Sequence, residues 1–86
     1  MNPLTYEEHR ELARELHRSR ERLLQLYSVV AGVYGPQNRS TFTFTKLNEA
    51  LERVMAELSA QARLDCPGTN AANLYNGSGP RVQNAG

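Results

Sequence analysis

Residues 5–34 read TYEEHRELARELHRSRERLLQLYSVVAGVY. Within them His9, Leu12, Leu16, Ser19, Leu23, Leu26, Val30 and Val33 recur at alternating spacings of three and four. Such a heptad-like seam predicts a helix made to lie against other helices. Its start is written in Thr5-Tyr6-Glu7-Glu8, a capping box that places two carboxylates at the positive end of the helix dipole. Its stop is Gly35-Pro36, a glycine followed by a residue that cannot continue a helix.

The two halves of this segment differ. Up to Arg22 the apolar stripe is narrow. From residue 23 to residue 34 it widens, because Leu24, Tyr27, Val29 and Ala31 join the seam. A helix that is apolar over most of its circumference is expected to have more than one neighbour. This half is therefore expected at the centre of a helical assembly.

Residues 35–44 read as a connector. Gly35-Pro36-Gln37-Asn38 is turn chemistry. Thr41-Phe42-Thr43-Phe44-Thr45 alternates polar and aromatic residues, as a strand would. A single short strand has no partner within one chain, so an extended segment whose Phe42 and Phe44 plug the bundle end is expected. A pairing of these segments between two chains is the alternative. A second helix is expected over about residues 45–64, capped by Thr43 or Thr45, with the seam Leu47, Leu51, Val54, Leu58 and then Gln61 or Ala62. Cys66-Pro67-Gly68 ends it.

Residues 67–86 hold four Gly, two Pro and four Asn and read as an irregular tail. Against that, the second helix is expected to be about ten residues shorter than the first, which would leave Leu12 and Leu16 uncovered. Leu74 and Tyr75 are placed to cover them. The fold expected is all-α: an antiparallel helical hairpin of long helix, connector and shorter helix, closing into a four-helix bundle as a dimer. Residues 1–66 form the hairpin domain and residues 67–86 the tail.

Eighty-six residues with net charge +1 make at most one domain, with a core so small that a second copy or another partner is expected to complete it. The near-zero charge supplies no field toward nucleic acid or an anionic membrane. The most apolar stretch, residues 23–34, is too short to span a bilayer. The start of the chain lacks the basic and apolar regions of a signal peptide. Asn38-Arg39-Ser40 and Asn76-Gly77-Ser78 match the glycosylation pattern, which carries no weight without secretion. The single Cys66 allows no intrachain disulfide and suits a reducing cytoplasm. Nine arginines against the one Lys46 suggest a GC-rich coding sequence, as in bacteria or phage.

Catalytic and metal chemistry find little support. His9 and His17 are two turns apart and cannot share a metal, and His17 with Glu21 falls short of the three or four ligands a site needs. His9 lies on the seam, where a partly buried polar residue tunes register. Ser28 and Ser59 lie within helices, Cys66 has no basic neighbour, and Gly77-Ser78-Gly79-Pro80 opens no helix, so no nucleophile elbow or phosphate loop is present. No enzyme, cofactor or metal is expected.

Arg10, Arg14, Arg18 and Arg22 recur every four residues, with Arg20 beside them. Four guanidinium groups along a helix can meet phosphates. However, Glu7, Glu11 and Glu15 each stand three residues before an Arg, and residues 5–34 hold five Glu and five Arg. A solvated face of ion pairs is the expectation, since nucleic-acid helices carry a basic excess.

The function expected is therefore a small non-enzymatic protein-interaction module. It would act by bundle self-association, or by docking on a larger protein as regulator, inhibitor or accessory subunit. Its contact residues would be Leu12, Leu16, Leu23, Leu26, Tyr27, Val30, Tyr34, Phe42 and Phe44. The alternatives are a nucleic-acid-binding dimer using Arg14, Arg18, Arg20 and Arg22, and an enzyme or ligand-binding protein with a site at a dimer interface. No membrane partner is expected.

Overall fold

Thr5 opens the first helix as its sequence dictates. In the computed structural model, which describes residues 2–76, the Thr5 hydroxyl accepts from the Glu8 N–H at 3.1 Å and the Glu8 carboxylate accepts from the Thr5 N–H at 2.9 Å. Helix α1 (Tyr6–Tyr34) then runs unbroken for 29 residues. Gly35 closes it at φ +87°, a left-handed angle that suits a residue without Cβ, and donates its N–H to the Ala31 carbonyl at 2.9 Å.

Helix α2 (Arg39–Asp65) begins about six residues earlier than the sequence suggests. Its cap is Asn38, whose side chain accepts from the Ser40 N–H at 2.8 Å, and neither Thr43 nor Thr45. The alternation over residues 41–45 is no strand: Thr41, Phe44 and Thr45 sit at helical spacing and turn toward α1. The connector shrinks to four residues, 35–38. At 27 residues α2 nearly matches α1, so the expected overhang at Leu12 and Leu16 does not exist.

Three cross-contacts, His9–Asp65, Arg20–Glu52 and Tyr27–Phe44, fix the pairing as antiparallel and in step. The residues of α1 withdrawn from solvent along the contact are Tyr6, His9, Ala13, Leu16, Arg20, Leu23, Tyr27 and Val30. Those of α2 are Thr41, Phe44, Asn48, Leu51, Met55, Leu58, Ala62 and Asp65. Both sets follow the three–four alternation of a heptad seam. They are not the seams expected. His9, Leu16, Leu23 and Val30 belong to both readings, but Ala13, Arg20 and Tyr27 replace Leu12, Ser19 and Leu26. On α2, Asn48 and Met55 replace Leu47 and Val54, and of the two residues offered after Leu58 it is Ala62 that lies in the contact.

The core lies at the open end of the hairpin. Ala13, Ala62, Ala71 and Tyr75 are its buried members, with Tyr6, Leu12, Leu16, Leu58, Cys66 and Leu74 packed against them. Ala71 and Tyr75 belong to a short 3-10 helix (Ala71–Tyr75) in the segment read as tail. It packs on both long helices, and Tyr75 and Leu74 join the same core cluster as Leu12 and Leu16, but with no overhang to cover. Residues 77–86, also assigned to the tail, lie outside the described residues. Among the described residues there is no strand, and no helix is long and apolar enough to cross a membrane.

Candidate functional site

The 3.6-residue repeat turns each residue about 100° from the one before it. Residues one step after a seam position therefore look to one side of the hairpin. Because the helices are antiparallel, residues one step before it look to the other side on both helices. The first side is the side of the 3-10 helix. There His17 donates Nε2–H to the Leu74 carbonyl and Ser59 donates its hydroxyl to the Ala72 carbonyl, both at 2.8 Å. The Tyr6 hydroxyl donates to Asn70 Oδ1 at 3.1 Å.

His9 completes this attachment from within. Its ring is fully buried. Nε2 lies 2.9 Å from Asp65 Oδ2 and Nδ1 lies 2.8 Å from the Tyr75 hydroxyl. A carboxylate can only accept, so Nε2 donates to Asp65, while Nδ1 is bonded to the Tyr75 hydroxyl. Asp65 also accepts from Gln61 Nε2 at 2.8 Å. These bonds, His9 first and Gln61 second, hold the Asp65 carboxyl below its ordinary range. Burial, and then the Asp65 charge, push the Tyr75 hydroxyl up. Carboxylate, imidazole and hydroxyl stand in the order of a nucleophilic relay, but an activated nucleophile needs the opposite shift and access for a substrate. Tyr75 is 4% exposed. The three residues fasten the 3-10 helix; His9 is a fully bonded core residue rather than a partly buried register residue.

Beyond the 3-10 helix the same side carries a cleft of about 240 Å³ lined by Arg20, Leu24, Tyr27, Thr45, Asn48, Glu49 and Glu52. The Arg20–Glu52 ion pair lies across its end. Among the described residues, no group of three or more His, Cys, Asp or Glu is placed to hold a metal ion.

The other side of the hairpin is apolar and open. Leu12, Ser19, Leu26 and Val33 line it from α1, and Leu47, Val54 and Gln61 line it from α2, each one step before a seam residue. Leu26 is 37% exposed, Val33 69%, Leu47 48% and Val54 45%. Leu16, Leu23, Val30, Leu51 and Leu58 form its half-buried floor. This face is the seam that the periodicity brings out: the stripe richest in Leu and Val is the one the chain leaves uncovered.

The other expected contact residues are scattered. Tyr27 meets Phe44 edge-on at 6.1 Å inside the hairpin. Phe42 is 59% exposed with the Lys46 ammonium over its ring, and Tyr34 is 62% exposed at the helix end. Phe42 and Phe44 do not form the expected plug from an extended segment: both lie in α2, Phe42 outward and Phe44 against Tyr27. Arg14 is bound to Glu11 at 2.7 Å, Arg18 lies 3.9 Å from Glu15, Arg20 is bound to Glu52, and Arg22 reaches Gln25 at 3.3 Å. His9, Asp65 and Tyr75 were not foreseen as a group. Their only signal is that the chain's one aspartate and one of its two histidines fall in phase with the apolar repeats of their helices.

No protein-family model, curated protein or solved structure matches this chain.

Proposed function

We propose that this chain is a small non-enzymatic protein-interaction module that lays the open face of its hairpin against other helices, those of a second copy first, to make a four-helix bundle. One observation carries the reading: Leu26, Val33, Leu47 and Val54 are exposed along a single face. Scattered surface leucines need no explanation, but a contiguous apolar stripe on two helices marks a contact site. Stable domains bury such stripes between layers, and this molecule is one layer, 16 Å through its thinnest direction.

Docking of the same face on a larger protein, as regulator, inhibitor or accessory subunit, uses the same chemistry. Cys66 is a free thiol, which suits a reducing cytoplasm. Nucleic-acid binding draws less support, because Arg14, Arg18 and Arg20 already face carboxylates. Light scattering across the micromolar range tests the proposal. Twice the 9.6 kDa chain mass, with a melting temperature that rises with concentration, is the expected result. A monomer mass throughout, with unfolding independent of concentration, overturns it.

A further inference from the structure

Two hairpins joined through one face by a two-fold axis can close in two ways. With the axis along the helices, both turns come to the same end and α1 lies on the second copy's α2. With the axis across the helices, the turns go to opposite ends and α1 lies on the second copy's α1. We propose that the open face takes a second copy of this chain in the first arrangement, turn beside turn. This rests on the self-association argued above and adds its geometry.

The exposed apolar groups are not spread evenly. Leu26, Val33 and Leu47 lie in the turn half, with Val54 at its border, and all are 37% exposed or more. Toward the open end Leu12, Leu16 and Leu58 are half-buried against the core. Closure across the helices at full overlap sets Val33 and Leu47 against that open end, whose apolar groups are already engaged. If it slides until the turn halves meet, Leu12 and Leu58 stay uncovered. Closure along the helices preserves level. Tyr27 stands beside Phe44 and Arg20 beside Glu52 within one hairpin, so Leu26 of one copy comes opposite Leu47 of the other. Exposed groups then meet exposed groups in the turn half, and the half-buried Leu12 and Leu58 meet their like at the open end. Burial of apolar area is the driving term, so the closure that buries most is favoured.

The area is adequate. The face runs from Leu12 to Val33, about 30 Å of helix, by two helices about 10 Å apart, on the order of 600 Å² in plan. Side-chain relief raises this toward the ~800 Å² per partner of a standard stable interface.

The test places a spin label at Gln37→Cys, an exposed turn position, in a Cys66→Ser background. Helicity by circular dichroism and mass by light scattering are checked on the labelled full chain. Lengthwise closure puts the two turns across one helix layer, and label separations below about 25 Å are expected. A dimer with turn separations beyond about 30 Å, or with separations beyond about 40 Å for a second label at the exposed open-end position Arg63→Cys, overturns the arrangement while self-association stands, because crosswise closure parts the turns at full overlap and parts the open ends when it slides. A monomer mass without dipolar coupling overturns both.

Discussion

The buried imidazole of His9 is hydrogen-bonded through Nδ1 to the Tyr75 hydroxyl at 2.8 Å, across 66 positions of sequence. Through it the 3-10 helix is fixed to the first turn of α1, and through Asp65 the same ring is fixed to the last turn of α2. Tyr75→Phe removes one bond and keeps the packing, so it should cost about 1 kcal/mol. His9→Leu removes both bonds and strands two buried partners, and should cost at least twice as much. Urea melts of the two variants compare them.

The clasp also sets a pH window. Asp65 is held below its ordinary value, so the stability it contributes is present above about pH 4 and is lost as pH falls through the lowered value. Tyr75 is pushed above its ordinary value, so its contribution is intact below about pH 10 and is lost as pH rises through the raised value. Melting temperature plotted against pH should fall at both ends. Asp65→Asn should flatten the acid limb and Tyr75→Phe the alkaline limb.

Two helix positions separate core from contact face. Ala62 is fully buried, beside Ala13 in the core, and the small side chains let the helices approach. Ala62→Leu overpacks this crossing and should cost about 1–3 kcal/mol. Leu26→Asp puts a charge on the open face, and should lower the mass in light scattering toward the monomer while leaving helicity in place. A Leu26→Asp variant that keeps its mass would remove this face from the interface.

Thr41 is 1% exposed, and its hydroxyl has no hydrogen-bond partner among the described residues. An unpaired buried hydroxyl costs about 1–3 kcal/mol. Thr41→Val keeps the branched shape and removes that cost, with near-equal helix propensity. It should raise the melting temperature by a few degrees, read by calorimetry.

The double change Arg18→Ala, Arg22→Ala touches exposed side chains whose partners are weakly held. It should change stability by less than about 1 kcal/mol. Retention on immobilised DNA, if any, should be equal for parent and variant. A parent that binds with steep salt dependence, lost in the variant, would favour the nucleic-acid reading.

Local signals in the sequence translated well. The Thr5–Glu8 box, the Gly35 stop, the Glu-to-Arg spacing and the end of α2 before Pro67 are contacts within one turn, and each appears as expected. The alternation over residues 41–45 misled because threonine and phenylalanine favour strands only when a sheet is there to receive them. The seam misled for a different reason. α1 carries two overlapping heptad stripes that share His9, Leu16, Leu23 and Val30, and periodicity ranks them by hydrophobicity. The stripe used inside the chain differs by Ala13, Arg20 and Tyr27, of which the first two score low and yet fit: a small residue at the crossing and a cation reaching Glu52. The His9–Tyr75 bond has no sequence period at all, since it joins segments that only the finished fold brings together.

That bond has a consequence for the order of folding. The hairpin pairs residues near in sequence around its four-residue connector, so its turn half can zip early. The buried cluster among the described residues needs residues 13, 62, 71 and 75 at once, and must wait until the most distant segments have met. Cooperativity should therefore reside in the last step. A chain cut after Asp65 should retain helical signal yet melt over a broad range, like a peptide, whereas the intact chain should unfold in a single sharp transition.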